Sequence, residues 1–348
     1  MTKVFREPRF ASSVNEMRFI PNQHSEKAPA FKRQVVLDLL RPDLGRRSFL
    51  KAAAPFALGL GAIARRQTPT ERGRFSEDDI PLVREKLLRQ VNAERAHAGL
   101  RQLQLDELAS KVANEHARDM VQRDFLSHWG SDGRKPYHRY SFAGGTDAVQ
   151  ENVSSAHNIQ SVTPAGVARD LYEMHLSMIS EVPPNDGHRK TILSPPLTHV
   201  GFGIAIEGHN LRLDELYLAR YIEMEPIPRQ VKPKATVTMR GRVLNPRQVL
   251  MNAEVFFEPP PSPPAIDWLR EPRSYGLPRD FETILPRLPP PYFYADGSTG
   301  TLELKGSGRF QTRVNLSRKP GINTIVVWLK SGPNGTGFPA TQICIRVE

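Results

Sequence analysis

The pattern of apolar residues changes once along this chain of 348 residues, close to Pro226. Before that point, apolar side chains recur at intervals of three and four, which is the spacing of helices that bury one face. After it, apolar and polar residues alternate in short runs, as they do in half-buried strands. The sequence therefore predicts an α+β domain followed by a small all-β sandwich.

Three segments of the first part have helical spacing. One follows Ser76, a hydroxyl residue suited to a helix N-terminus, and the second begins at Asp106, another favourable N-cap. The third runs over residues 165–179. Two strands are predicted next, over residues 198–207 and 211–223, so helices and a hairpin are expected to pack in layers.

The second part, residues 235–348, follows a proline-containing linker at residues 225–234. Six alternating runs favour an antiparallel sandwich of the Ig-like or prealbumin-like kind; they are 235–243, 253–258, 301–304, 310–316, 322–329 and 342–347. An insertion at residues 259–291 contains 11 prolines. Because proline lacks a backbone N–H, we predict a surface loop without a partner. A binding element of extended segments is the alternative.

The net charge of +11 is concentrated at the start of the chain. Residues 1–64 carry +6, and the remaining +5 is too dilute to argue for a nucleic-acid partner. Within residues 1–64, two arginines precede an uncharged, Ala/Gly-rich stretch that is too short for a stable membrane anchor. This layout resembles the twin-arginine signal of bacterial export, and its signal residues are Arg46, Arg47, Phe49 and Leu50.

We therefore expect residues 1–64 to be a leader that the twin-arginine export machinery recognises. Residues 65–79 are expected to be a linker. Cleavage near Ala64, in an A-x-A context, would leave the mature protein periplasmic or extracellular. The alternative interpretation of the stretch is a buried Ala-rich helix in a cytosolic protein.

All ten histidines precede residue 210, and nine of them lie between His97 and His209. The single cysteine, Cys344, can form neither an intramolecular disulfide nor a cysteine-based metal cage. Any metal would therefore bind His, Asp or Glu. Neutral imidazole suits metal binding and proton transfer near neutral pH, so the chemistry is expected in the first domain.

Six short motifs follow one another within residues 80–224. They are Val91-Asn92-Ala93-Glu94-Arg95, Ala113-Asn114-Glu115-His116-Ala117, Phe125-Leu126-Ser127-His128, Gln150-Glu151-Asn152-Val153, Gly187-His188-Arg189 and Thr198-His199-Val200-Gly201-Phe202-Gly203. In this order they resemble the CAP superfamily of cysteine-rich secretory proteins, antigen 5 and pathogenesis-related 1 proteins. The scarcity of cysteine resembles its bacterial, SCP-like branch.

The resemblance implies an α-β-α sandwich with an open cleft lined by two histidines and two acidic residues. It implies imidazoles at His128 and His188 and a carboxylate at Glu151. For the second acidic position Glu173 is the best match and Glu181 the second choice.

Two neutral imidazoles, His128 and His188, can bind Zn²⁺ or another divalent metal. Glu151 or Glu173 would then be a third ligand or would orient the imidazole rings. Alternatively, a glutamate beside a histidine makes a general base for an attacking water. His116, on the apolar face of the second helix, is interpreted as a packed, hydrogen-bonded histidine rather than as a ligand.

These residues favour an exported, non-enzymatic binding module. Its cleft would hold a divalent metal and a small-molecule or extended polymer ligand. One alternative is a metal-assisted peptidase or cell-wall hydrolase, and another is a lipid or sterol carrier.

Overall fold

The computed structural model of the chain describes residues 73–332 and 335–348. The predicted leader and much of the predicted linker lie outside these residues. So do the four predicted signal residues, Arg46, Arg47, Phe49 and Leu50. Within the described ranges, no helix has the length and apolar character needed to cross a membrane.

The described part contains six α-helices and fourteen strands. The helices are α1 (Ile80–His97), α2 (Glu107–Gln122), α3 (Pro136–Phe142), α4 (Pro164–Ile179), α5 (Gly187–Ile192) and α6 (Ile266–Arg270). The strands are β1 (Gln104–Leu105), β2 (Ala148–Ala156), β3 (His199–Glu207), β4 (Asn210–Ala219), β5 (Ile222–Met224), β6 (Gln230–Val231), β7 (Thr236–Val243), β8 (Gln248–Glu258), β9 (Phe281–Ile284), β10 (Glu303–Leu304), β11 (Arg309–Asn315), β12 (Gly321–Ser331), β13 (Gly337–Pro339) and β14 (Ile343–Val347). A 3₁₀ turn, Glu77–Asp79, precedes α1.

The first domain is a three-layer α-β-α sandwich around a sheet with strand order β1-β3-β4-β2. Helices α1 and α4 share one apolar cluster with one face of the sheet, and α2 and α3 share another with the opposite face. Strand β2 is therefore an edge strand between two helical layers. The predicted α+β architecture is confirmed.

Helix α2 begins where the sequence predicts. The Asp106 side chain accepts a hydrogen bond from the Ala109 N–H, which satisfies one of the unpaired donors of the first turn. The helix also lies unusually close to β3. A Cβ added at Gly203 would lie 2.1 Å from the Ala113 carbonyl carbon, so a larger residue there would push the helix away. This close approach positions the side chains of α2 against β4.

The second domain is a sandwich of two sheets around one apolar core. Their strand orders are β10-β11-β7-β5 and β6-β14-β12-β8-β9, with β13 paired to β12. Each of the six predicted runs overlaps a strand, and the predicted all-β sandwich is confirmed. Strand β5, which precedes the predicted linker, pairs with β7 and so belongs to this second domain.

The two domains share buried contacts. Cys344 of β14 lies in the same apolar cluster as Tyr137 and Tyr140 of α3. Its backbone N–H donates a 2.7 Å hydrogen bond to the Ser141 hydroxyl. The last strand of the chain thus completes a core cluster of the first domain.

Candidate functional site

Strand β2 contacts both of the predicted site histidines, His128 and His188. Successive side chains of a strand point to opposite faces, so Glu151 points towards α2 and Asn152 towards α4. The Asn152 side chain donates a 3.2 Å hydrogen bond to the carbonyl of His188, at the start of α5. Both sides of the predicted cleft are therefore fixed to adjacent residues of one strand.

His128 is held by a fully buried carboxylate. Its Nδ1 lies 2.9 Å from Glu151 Oε2, and Arg139 donates to the other oxygen of the same carboxylate. Burial opposes the ionised form of Glu151, but Arg139 and the hydrogen bond from His128 lower its pKa to about 2. The ionised carboxylate fixes the Nδ1–H tautomer of His128, so its Nε2 carries the lone pair.

His188 has the same arrangement with a different carboxylate. Its Nδ1 lies 2.5 Å from Glu181 Oε1, and its backbone N–H donates to Glu181 Oε2 at 2.9 Å. This histidine is more open than His128, with 35% of its side chain exposed against 16%. Across the described residues, the Nε2 atoms of both histidines lack a hydrogen-bond partner.

The structure places Glu173, the first choice for the second acidic position, elsewhere. On α4 the buried residues include Leu171, Met174 and His175, and Glu173 lies outside this face. It lines a shallow pocket that contains neither His128 nor His188. The segment between α4 and α5 instead brings Glu181, the second choice, next to His188.

The proline-rich insertion, residues 259–291, contacts the His128 side of the cleft. The Tyr275 hydroxyl accepts a 2.9 Å hydrogen bond from the backbone N–H of Glu151. The Tyr275 ring lies 4.7 Å from the imidazole of His128, centroid to centroid. An edge strand has unpaired backbone donors, and this tyrosine satisfies the donor at the centre of the site.

Further contacts hold the insertion in place. Leu269 is buried in a cluster with residues from α2 and β2, and Trp268 meets Trp129 edge-on at 5.3 Å. A Cβ at Gly133, where φ is +81°, would lie 2.3 Å from the Ser262 carbonyl oxygen, so glycine permits the close approach. The insertion thus packs on the first domain, and its lack of a binding partner stays a prediction. The aromatic and apolar residues between the prolines provide the contacts.

A second buried group lies beneath His128, on the α2 face. His116 donates from Nε2 to the Ser127 carbonyl, at 2.8 Å, and its Nδ1 has no hydrogen-bond partner among the described residues. Burial, with help from Arg139, lowers its pKa to about 4, so the ring is neutral. Asp214 of β4 is fully buried, and within the same part of the chain neither of its carboxylate oxygens has a hydrogen-bond partner. Burial and the nearby Glu151 raise the pKa of Asp214 well above its usual value.

The opposite face of β4 has another buried histidine. His175 lies between Glu215 and Glu94, with Nδ1–Oε1 and Nε2–Oε2 distances of 2.7 and 2.8 Å. The Tyr217 hydroxyl donates to the remaining oxygen of Glu215 at 2.8 Å. Burial disfavours the charged ring, but the two carboxylates raise the pKa of His175 to about 10. His175 is thus a paired imidazolium that stabilises the fold and does not reach the cleft histidines.

Sequence reasoning missed three residues of the site: Arg139, Asp214 and Tyr275. Arg139 lies on the short helix α3, which the sequence did not predict. The sequence did contain a signal for Asp214. Two adjacent acidic residues inside a predicted strand are unusual, because charged residues are rarely fully buried. Tyr275 is 124 residues from Glu151 along the chain, so no local pattern predicts their contact.

Comparison with known proteins shows what the first domain is similar to. A sequence model of CAP, the cysteine-rich secretory protein family, matches residues 88–219. The uncharacterized protein YkwD of Bacillus subtilis (strain 168) is 26% identical over 199 residues, which cover 57% of this chain and 71% of that protein.

Solved structures resemble parts of the chain. An outer surface protein from Borrelia burgdorferi is 15% identical, with a TM-score of 0.33, and the match covers 42% of this chain and 98% of that one. An extracellular SCP-domain protein from Bacillus anthracis str. Ames is 20% identical, with a TM-score of 0.31 and coverages of 42% and 45%.

Proposed function

We propose that this chain, whose residues 88–219 match the CAP family of cysteine-rich secretory proteins, is an exported, non-enzymatic binding module. Its cleft, at the edge of β2, binds a divalent cation between the imidazoles of His128 and His188. The cation in turn recruits a small or extended ligand from the open, His188 side.

One observation carries this proposal: each cleft histidine is held at Nδ1 by its own carboxylate. Glu151 orients His128, and Glu181 orients His188. A carboxylate that accepts from one ring nitrogen fixes the tautomer and makes the other nitrogen a better metal ligand. Zn²⁺ accepts imidazole nitrogen readily, and water or a ligand would complete its coordination.

The state of Glu151 argues against the hydrolase alternative. A general base works best when its pKa lies near the operating pH. The pKa of Glu151 is about 2, because Arg139 and His128 stabilise the ionised form. Both oxygens of this carboxylate already accept hydrogen bonds, and the side chain is fully buried. Glu151 is thus suited to orienting His128 rather than to taking a proton from water.

Zn²⁺ titration of the protein tests the cleft. We expect His188→Ala to weaken Zn²⁺ binding at least ~10-fold, because it removes one of two protein ligands. The matched control is His157→Ala, since His157 is exposed and its ring bonds to Asn210, away from the cleft. Unchanged affinity in His188→Ala would overturn the proposal. So would turnover of a peptide or muropeptide that is lost in Glu151→Gln, which would favour the enzyme.

Export has a separate test. The proposal rests on the Arg46-Arg47 pair and the uncharged stretch that ends at Ala64. N-terminal sequencing of protein recovered from outside the cytoplasm should give a mature start close after Ala64. A start before Arg46 would contradict a twin-arginine leader.

A further inference from the structure

Two buried side chains below the cleft lack the partners that buried polar groups need. Across the described residues, His116 Nδ1 and both oxygens of Asp214 have no hydrogen bond, although both side chains are almost completely buried. A buried donor or acceptor without a partner costs about 1–3 kcal/mol, and a charged one costs more. Their neighbour Glu151 is equally buried. His116 and Asp214 therefore need a compensating partner, and the geometry around them and Glu151 indicates one.

The three residues come from three elements that the fold holds close together. One ligand atom each of His116, Glu151 and Asp214 can be chosen so that all lie within 4.8 Å of one another. Asp214 pairs in register with Val153 of β2 on one side and with Gly203 of β3 on the other. Because Gly203 admits α2 so closely, His116 lies over the same part of the sheet.

The hydrogen-bonding state of His116 prepares it as a ligand. Its Nε2 donates to a carbonyl oxygen, so Nε2 carries the proton and the lone pair is on Nδ1. That lone pair is free to join the carboxylate oxygens of Glu151 and Asp214 around one ion. Arg139 balances the charge of Glu151, whereas no cationic side chain of the described residues is bonded to Asp214.

We propose that His116, Glu151 and Asp214 form a buried binding site for a divalent transition-metal ion. One imidazole nitrogen and two carboxylate oxygens are a donor set that suits Zn²⁺ or Mn²⁺. This site lies beneath the cleft and shares only Glu151 with it, so it stands apart from the cation proposed between His128 and His188. Its role is to complete the α2 face of the fold.

Metal analysis after refolding tests the site. The full chain is unfolded in denaturant that contains a chelator, and it is then refolded with Zn²⁺ or Mn²⁺ as the only added metal. The refolded protein is dialysed against chelator, and its metal content is measured. We expect one equivalent to survive dialysis in the unsubstituted protein, because a buried ion exchanges slowly. Asp214→Asn, which keeps the side-chain shape, should lose it, and His188→Ala should retain it.

Two results would overturn the proposal: no retained metal in the unsubstituted protein, or equal retention in Asp214→Asn. The first would mean that a proton on Asp214 compensates the group instead.

Melting curves distinguish loss of the metal site from misfolding of the variant. Refolding with Zn²⁺ should raise the Tm of the unsubstituted protein and of His188→Ala relative to refolding in chelator. It should leave the Tm of Asp214→Asn unchanged, and a comparable rise in that variant would contradict the site.

Discussion

Two buried histidines lie on opposite faces of one sheet, and their surroundings differ in one respect. His175 faces Glu215 and is fully bonded, whereas His116 faces Asp214 and, among the described residues, neither side chain completes its bonds. Burial is nearly the same for both rings, yet the pKa of His175 is raised to about 10 and that of His116 is lowered to about 4. The groups that contact a buried imidazole, rather than the extent of its burial, decide whether it carries a charge.

The largest expected difference comes from substituting the adjacent acids. Glu215→Gln should lower the free energy of unfolding by about 3–5 kcal/mol, because it deprives a buried imidazolium of the more deeply buried of its two carboxylate partners. In chelator, Asp214→Asn should change it by less than about 1 kcal/mol, since that carboxylate has no hydrogen bond to lose within the described residues. Urea unfolding of both variants measures the difference. Equal losses would show that the two faces are equivalent.

The charge on His175 predicts how stability depends on pH. Its folded pKa, about 10, lies above the unfolded value near 6.5, so its contribution is complete below the unfolded pKa. The contribution is lost as the pH rises through the folded pKa. From about pH 7 to 9.5 we expect a loss of about 3 kcal/mol in the free energy of unfolding.

Urea unfolding at a series of pH values measures this slope. The groups that face His175 are Glu94 from α1 and Glu215 and Tyr217 from β4, so Glu94→Gln should make the slope shallower. A slope that Glu94→Gln does not change would mean that another group titrates.

The contacts described for the insertion lie on the His116 side of the sheet, so substitutions at these contacts should affect that side. Tyr275→Ala should lower the free energy of unfolding by about 2 kcal/mol, through loss of ring packing on His128 and of the acceptor for the Glu151 N–H. Tyr275→Phe, which keeps the ring, should cost about 1 kcal/mol.

Amide hydrogen exchange locates the effect of these tyrosine variants. The Glu151 amide should exchange faster in both, and the amides around His175 should be unchanged. Faster exchange on both faces would indicate global loosening instead.

The smallest expected effect on stability is at Glu181 and His188, the more exposed carboxylate–histidine pair of the cleft. Glu181→Gln should lower the free energy of unfolding by less than about 1 kcal/mol, because the pair with His188 is partly open to solvent. It should nevertheless weaken Zn²⁺ binding about 10–100-fold by releasing the ring. Calorimetric titration beside urea unfolding separates the two effects. A large loss of stability with unchanged affinity would contradict the orienting role.

Local patterns predicted much of the fold. The N-cap Asp106 and the apolar spacing after it predicted α2, and six alternating runs predicted strands of the second domain. These features depend on residues within a turn or two of one another. The ordered motifs predicted His128, Glu151 and His188 as site residues, and in the structure His128 bonds to Glu151 of β2 and His188 to the neighbouring Asn152.

The remaining features depend on contacts that are distant in sequence. Glu181 reaches His188 only because the intervening segment folds back, and the match to the family motif favoured Glu173. Tyr275 reaches Glu151 from another domain. Asp214 faces His116 because Gly203 lets α2 approach, which becomes evident only when the layers are assembled. Proline content indicated an irregular backbone in the insertion but did not predict where its side chains pack.

The place of Cys344 in the α3 cluster has a consequence for synthesis. The ribosome synthesises the first domain well before β14. During translation the apolar faces of Tyr137 and Tyr140 therefore stay uncovered until β14 has been synthesised. The first domain can reach its final packing only after almost the whole chain has emerged. Shortening the chain from its C-terminus would leave that surface open in the finished protein, and such a surface favours aggregation.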